Sequence, residues 1–308
     1  MKSYYLKRIV SMLITIILIT TLTFTMMHSI PGGPFTRERP VPDEIMRALN
    51  AKYNLDDPLP IQYLNYMKGL VTFDLGPSYS KIGTSVNDLI ESGFPASAKI
   101  GLIASALIVV VGIPLGVISA LKQNSPLDYF VMFLATIGIT VPSFVIATVI
   151  IYFFAGKLGW IPSFGLDTPA SYVGPVIALA GYSLSFVTRL TRSSMLEVLR
   201  QDYITTARAN GLKEFTVIMK HAVRNALIPV VTYIGPMIAA ILTGSFVIEK
   251  IFAIPGIGRH FVESVSNRDY TTIMGITVFY AVFYLVMIFL VDVAYAFIDP
   301  RIKLKEDK

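Results

Sequence analysis

The segment with the most patterned chemistry runs over residues 189–225, where Arg189, Arg192, Arg200, Arg208, Lys213, Lys220 and Arg224 face only three anions, Glu197, Asp202 and Glu214. Within it Leu212, Phe215, Ile218 or Met219, and Ala222 recur every three or four residues, the spacing of an apolar stripe on a helix. Just before lies Thr205-Thr206-Ala207-Arg208-Ala209-Asn210-Gly211. Small side chains let another backbone come close, and Gly211 can adopt the positive φ that turns one short helix into the next. The chemistry on offer is mechanical: a shape made for insertion into a partner. Catalytic chemistry finds no footing, because no nucleophile, base and orienting group share a recognisable spacing. His28, His221 and His260 are too far apart in topology for this chain alone to build a metal site. With no cysteine there is no disulfide, thiolate metal site or cysteine nucleophile. The one Gly-Lys pair, Gly156-Lys157, lacks the upstream glycine and following hydroxyl of a phosphate-binding loop, so no cofactor is expected on this chain.

The elements that carry this segment follow from composition. Of 308 residues, 54% are hydrophobic and 15% charged, and mean hydropathy is +0.64. Soluble chains run near a quarter charged, so long stretches here avoid water. Charge-free apolar runs fall at 9–30, 100–121, 129–155, 170–188, 226–248 and 273–291, each near or above the roughly 18 residues that cross a bilayer as a helix. Barrel strands would be shorter and alternating, so the sequence predicts an all-α integral membrane protein with six transmembrane helices. The first run is too long for a signal-peptide core and precedes no small-x-small cleavage site, which makes it a retained helix. Fifteen cations lie at the N-terminus, the second and fourth connections and the C-terminus, against four (Lys157, Lys250, Arg259, Arg268) in the short loops opposite. The positive-inside rule then predicts both termini on the cytoplasmic side.

Other features read from the pattern are structural. The proline-rich outer region carries Ile45, Leu49 and Tyr53, then Ile61, Leu64 and Met67 or Leu70, at helical spacing, predicting small helices over the outer mouth or a docking surface for an extracellular partner. Gly112, Pro114 and Gly116, Gly138 and Pro142, Gly174 and Pro175, and Gly235, Pro236 and Gly244 are read as breaks in the second to fifth spans. Thr140, Pro142, Ser143, Thr232, Thr243 and Ser245 stand at or beside these breaks, where freed backbone groups must be met by hydroxyls or by water in a cavity, which makes them candidates for lining a path between the helices. Asp292, the acid read as lying well inside a span, is expected to pair with Arg189 or Arg192. Trp160, Tyr152 and Tyr172 fit an interfacial aromatic anchor.

Asp202-Tyr203-Ile204-Thr205-Thr206-Ala207-Arg208-Ala209-Asn210-Gly211-Leu212 with His221-Ala222-Val223-Arg224-Asn225-Ala226-Leu227-Ile228-Pro229 resembles the cytoplasmic coupling loop of binding-protein-dependent ABC importer permeases, dipeptide and oligopeptide branch. Thr205, Thr206 and Ala207 stand where the superfamily has Glu-Ala-Ala, and Thr206 to Gly211 follows the branch's own Thr-Ala-Arg-Ala-x-Gly. Pro31-Gly32-Gly33-Pro34-Phe35, Phe73-Asp74-Leu75-Gly76-Pro77-Ser78, Gly138-Ile139-Thr140-Val141-Pro142-Ser143-Phe144, Gly244-Ser245-Phe246-Val247-Ile248-Glu249-Lys250-Ile251-Phe252, Ile254-Pro255-Gly256-Ile257-Gly258-Arg259 and Asp299-Pro300-Arg301 resemble the B-type oligopeptide permease subunit. The resemblance implies a type I ABC importer permease fold: a first helix at 1–30, an extracellular region at 31–93, a transmembrane domain at 94–298 with its coupling loop at 189–225, and a cytoplasmic tail at 299–308. It implies a non-enzymatic subunit for oligopeptide uptake in a bacterial cytoplasmic membrane, with dipeptides or a nickel chelate as other solutes of the same machinery. Expected partners are a second permease subunit forming a heterodimer, two ATP-binding subunits that hold ATP and Mg, an extracellular peptide-binding protein, the peptide and membrane lipid, with no nucleic acid. Thr205, Thr206, Ala207, Arg208, Ala209, Gly211, Leu212 and Phe215 would meet the ATPases, and Glu249, Lys250 and Arg259 the binding protein. A self-contained secondary transporter or channel is the rival from another class, and it lacks the expected inverted repeat and charged core.

Overall fold

The computed structural model describes residues 2–35 and 42–298, and among them there are helices and short connections with one isolated pairing, Pro77 with Ser85, in place of a sheet. The Asp299-Pro300-Arg301 motif and the 299–308 tail lie outside the described residues. In chain order the helices are α1 (Lys2–His28), α2 (Asp43–Lys52), α3 (Leu59–Val71), α4 (Val86–Leu107), α5 (Ile113–Leu121), α6 (Pro126–Thr140), α7 (Ser143–Ile150), α8 (Val173–Leu199), α9 (Asp202–Ala209), α10 (Glu214–Thr216), α11 (Arg224–Leu242), α12 (Phe246–Ile251), α13 (Ile257–Ser266) and α14 (Tyr270–Ile298). Segments of π-helix at Ile108–Gly112, Ile151–Lys157 and Val217–Val223 join α4 to α5, extend α7, and join α10 to α11. Among the described residues five helices are long and apolar enough to span a membrane, and α6 with α7 form a sixth candidate bent by 108°.

Only some of the expected breaks interrupt a helix. Val141 is extended (φ −84°, ψ 124°), as the residue before a proline prefers, and the chain turns there at Pro142. Gly244, at φ +81°, closes α11 before α12. Gly112, Pro114 and Gly116 do not stop their span: the π segment ending at Gly112 absorbs the proline and the helix runs on to Leu121. Gly174 and Pro175 occupy the first turn of α8, where a missing N–H leaves no bond unmade. Gly235 and Pro236 stay inside α11, and Gly138 lies within α6.

The chain divides into two compact units, one of residues up to Ala96 together with those from Pro255, the other of Ser97–Ile254. In the second unit α8 is the shared neighbour of α5, α6, α7 and α11. The α4–α5 rod runs parallel to it: the Lys99 ammonium lies 4.6 Å from the Tyr172 ring centre, Gly112 abuts Leu184 and Val187, and Gly116 abuts Thr188 and Thr191. The α6–α7 pair runs the other way, with Asp128 at Arg192, Gly138 at Gly181 and Ser185, and Ile150 at Gly174. Despite its bend, the pair therefore covers the length of α8 as one broken span. Helix α11 is antiparallel too, with Tyr233 against Phe186 (4.4 Å between ring centres) and Ile241 at Gly101. These close approaches are glycine-made, as expected where lipid removes the hydrophobic drive between helices and packing must hold them.

One end of this unit is locked by charge. Arg192 reaches Asp128 with a two-pronged contact, Nε to Oδ1 and Nη2 to Oδ2, both 2.7 Å. The buried carboxylate also accepts from the Ser119 hydroxyl and from the Asn124 N–H at 2.9 Å. Ser125 caps α6 by accepting from the Asp128 N–H, with Pro126 following. Arg189 donates to Thr136. The expected Asp292 partners are thus engaged elsewhere, and the Asp292 pairing is corrected: in the other unit, where α1 and α14 pack together, Arg8 Nη2 lies 2.6 Å from Asp292 Oδ2.

That unit has its own anchored carboxylate. Asp269, at the start of α14, is buried and accepts from the Ser78 hydroxyl, the Tyr79 and Ser80 N–H groups, the Ser80 hydroxyl and the Thr272 N–H. Helices α2 and α3 form as the spacing predicts, yet they bury no residue, and Ile45, Ile61 and Leu64 stay exposed.

Two outcomes follow. A Cβ at Gly138 would run into the Ser185 hydroxyl and within 2.9 Å of the Gly181 carbonyl, so Gly138→Leu should cost about 2 kcal/mol or more and sharply lower the thermal midpoint of the solubilised chain; Gly138→Ala should be partly rescued by Ser185→Gly. Burial raises the Asp269 carboxyl pKa, but its donors outweigh this and hold it below the ordinary value. Its contribution is then complete above the unfolded pKa of about 4 and fades as pH falls through the lower folded value. The thermal midpoint should drop between pH 5 and pH 3, and Asp269→Asn should flatten that slope while lowering stability by about 1–3 kcal/mol at neutral pH.

Candidate functional site

Helix α8 continues to Leu199, so the patterned segment is not the wholly solvated loop its charge suggests: its first eleven residues belong to α8 and its last twelve to the α10–α11 rod. What remains is a compact hairpin. Gln201 is extended (φ −76°, ψ 145°), and α9 then opens with Asp202 in its first turn and closes with Arg208 in its last, both favourable to the helix dipole. Gly211 sits at φ +74°; the Gly211 N–H donates to the Arg208 carbonyl at 2.9 Å and the Leu212 N–H to the Ala207 carbonyl at 3.4 Å. That is the Schellman ending, which leaves the carbonyls of the last turn satisfied. A side chain at Gly211 would meet open space, so the backbone angle alone requires glycine there. Across the turn Arg208 grips Glu214, Nη2 to Oε1 at 2.7 Å and Nε to Oε2 at 3.2 Å.

The apolar pattern splits into two faces. Ile204 and Ala207 of α9 are buried with Ala120, Met195, Val217, Ala222 and Ala226, residues of α5, α8 and the α10–α11 rod. Ala207 therefore faces its own chain and leaves no room for a partner's backbone, a correction to the expectation drawn from its size. Phe215 points outward, 76% exposed, with Leu212, Met219 and Tyr203 exposed as well. The regular stripe fails past Phe215 because the π segment changes the helical register. Thr205, Thr206, Arg208 and Ala209 share the outer surface with these apolar groups. The result is a rigid knob, apolar and basic outside and cemented inside to three helices of its unit.

The candidate path residues fall into groups. Thr140, Pro142 and Ser143 cluster at the α6–α7 bend, with Thr140 and Pro142 exposed. Thr243 and Ser245 bracket the α11–α12 break, where Ser245 caps α12, and α12 packs on α7. Thr232 stands eleven residues earlier on α11, about 16 Å along the axis, and is not part of that cluster. The hydroxyls of Thr140, Thr232 and Thr243 bond carbonyls of their own helices, which lets them face an apolar surface at little cost.

Of the outer candidates, Lys250 and Arg259 are exposed, Arg259 pairing with Glu263 at 2.7 Å. Glu249 is 3% exposed inside its unit, so as a docking contact it is withdrawn. His28 contacts Gln62 Oε1 at 3.2 Å and His260 accepts from Lys81 Nζ at 3.0 Å. Burial and the neighbouring ammonium lower the His260 pKa and keep the ring neutral as an acceptor. The Asp128 to Arg192 lock was missed because Asp128 stands one residue before the apolar run; Ser125-Pro126-Leu127-Asp128, a capping signature, could have revealed it.

Comparison with known proteins agrees with this architecture. Residues 112–304 match the family described as binding-protein-dependent transport system inner membrane component, and residues 1–98 match the N-terminal part of such membrane components. The dipeptide transport system permease protein of Bacillus subtilis (strain 168) is 53% identical over 304 residues, covering 99% of both chains. The oligopeptide transport system permease protein of Escherichia coli (strain K12) is 43% identical over 305 residues, covering 98% of this chain and all of that one. In fold, the MetNI methionine ABC transporter in an inward-facing conformation superposes with a TM-score of 0.52 at 18% identity, over 68% of this chain and 94% of its own. An amino acid ABC transporter gives 0.51 at 18%, over 70% and 95%. With the type I ABC importer permease fold, its multiple spans set in the cytoplasmic membrane, this chain belongs to the family of binding-protein-dependent transport system inner membrane components.

Proposed function

We propose that this chain is a permease subunit of an ATP-driven peptide importer, forming half of the membrane path and binding no nucleotide itself. The observation that carries the reading is the knob: an exposed set of Phe215, Leu212 and Met219 on a hairpin whose inner face is buried against α5, α8 and α11. An exposed apolar group ringed by Arg208, Lys213 and Lys220 suits a protein partner, and burial of the inner face transmits a push on the knob to the helices without slack. The partners are two ATP-hydrolysing subunits at the knob, a second permease completing a heterodimer, and an extracellular binding protein delivering peptide near Lys250 and Arg259. The hairpin faces the cytoplasm on this reading, since the basic residues of 189–225 and Lys122 gather at one end of the 97–254 unit and Lys157 and Lys250 belong to the other, and the cations near both termini assign these to the same side by the positive-inside rule.

The relatives' names support peptide as solute, with dipeptide in the 53% identical relative and oligopeptide in the 43% identical one. The dipeptide reading has that greater identity in its favour; the oligopeptide reading rests on the motifs of the B-type subunit. Peptide length selection is assigned to the binding protein, which both readings share.

Two experiments test this. Phe215→Asp or Leu212→Asp should cut co-purification of the ATPase subunits by about thirtyfold, the loss of one roughly 2 kcal/mol contact, while leaving the chain's own stability unchanged. Ala207→Phe should instead destabilise the chain itself. Unaltered ATPase recovery with both Asp variants would reject the knob as the coupling surface. On this cysteine-free chain, single cysteines at Thr140, Ser143, Thr243 and Ser245 in the assembled importer should react with a water-soluble thiol reagent at rates that change when ATP is added; uniform silence would remove these positions from the path.

A further inference from the structure

Lys99 is exposed on the α4–α5 rod, and its ammonium lies 4.6 Å from the Tyr172 ring centre. Among the described residues no carboxylate forms an ion pair with it. It stands 22 residues before Leu121, about 33 Å along a helix, so it lies at the level of the headgroups when the far end of the rod meets the opposite membrane surface. Tyr172 and Trp160, the latter 68% exposed, belong to the same end of the unit.

From Lys99 a trough of about 640 Å³ runs between the rod and α8, walled by Ile103, Leu107, Val173, Val176 and Ile177, with Asp167 and Thr168 at its polar mouth. Leu107 and Ile177 also line a second hollow of about 350 Å³ that continues along Leu115, Phe130 and Leu134. Ile103 to Leu115 spans about 18 Å, close to half of the roughly 30 Å hydrocarbon thickness. The trough and the second hollow together follow the rod for about the depth of one leaflet, with the Lys99 ammonium and the Asp167 carboxylate, not paired with each other, at the headgroup end.

We propose that this groove holds one anionic glycerophospholipid with hydroxyls on its headgroup, its phosphate at Lys99 and one acyl chain along Ile103, Leu107 and Ile177. The combination of one cation with nearby hydroxyl acceptors selects the occupant. The unpaired ammonium suits a phosphate, and Asp167 and Thr168 at the same mouth can bond headgroup hydroxyls, which a choline headgroup lacks. A partner helix would fill the apolar wall and leave Lys99 without an anion. The proposal concerns lipid alone and does not depend on the transported solute.

The test uses the importer purified with its partner subunits, exchanged into nanodiscs of phosphatidylglycerol and phosphatidylcholine, then extracted and analysed by native mass spectrometry of the released chain. Wild type should retain one phosphatidylglycerol. Lys99→Gln should reduce retention at least fivefold and Lys99→Arg should keep it. Ile177→Trp, which fills the trough without touching charge, should lose the lipid while the chain's thermal midpoint stays within a few degrees. A photoreactive phosphatidylglycerol should label residues of the rod or of α8 near Ile177. Equal retention of phosphatidylcholine, retention unchanged by both Lys99→Gln and Ile177→Trp, or cross-links from a cysteine at Ile177 to the partner permease in place of lipid would each overturn the proposal.

Discussion

Close approach of backbones along α8 is the constraint on which the 97–254 unit depends. In lipid the apolar side chains of two helices gain nothing by leaving one solvent for a similar one, so stability must come from dispersion between surfaces that fit and from bonds that water cannot compete for. The chain meets the first need with Gly116 and Gly138, each set against the backbone or a small side chain of α8 at Thr188 and Gly181. It meets the second most strongly at one end, with Arg192 and Asp128. A two-pronged, nearly buried ion pair of this kind is worth little against a well-packed apolar pair but is expensive to break by halves, about 3–5 kcal/mol, which makes it a fixer of register more than a source of stability. It holds the α5–α6 turn in one position on α8.

That fixed register gives the hairpin something firm to push against. Ile204 and Ala207 share a core with Ala120 from α5 and Met195 from α8, and the Asp128 lock lies on those same two helices through Ser119 and Arg192. A displacement of α9 is therefore felt by α5, α8 and α11 together. A coupling element needs two arrangements that both sites bias, and packed cores shift between discrete arrangements because they do not deform continuously. The buried inner face of the knob supplies this property on the proposed reading; its exposed outer face supplies the grip.

Fold class was legible in the sequence because its signal is long and redundant: each span repeats the same apolar statement over some twenty residues. The hairpin was legible through Gly211, whose positive φ follows from a helix ending where another begins. What sequence periodicity could not resolve was facing. Ala207 has the size of a contact residue but is buried in its own unit, whereas Phe215 is exposed as the coupling expectation requires, because small residues are needed wherever backbones come close, inside the chain as well as at a partner. Ion pairs were equally hidden. Asp292 meets Arg8, far away in sequence, since pairing across α1 and α14 is a matter of packing that no spacing rule encodes.

The placement of irregular helix carries one more step. Among the described residues all three π segments lie on elements around α8: between α4 and α5, after α7, and between α10 and α11. Helix α8 itself runs 27 residues without one. A π segment carries an extra residue per turn and weaker bond geometry, so it is where a rod bends or slips register at least cost. The unit thus combines an uninterrupted spine with compliant neighbours, and the segment Val217–Val223 sits directly between the knob and the α11 stretch that carries Thr232 and Thr243. On the proposed reading a push arriving at Phe215 would meet a stiff contact through Ala207 to α8 and a pliable one along its own rod, a division that favours rotating α11 against α8 over moving both as a block, and with it a change in the space between the two helices.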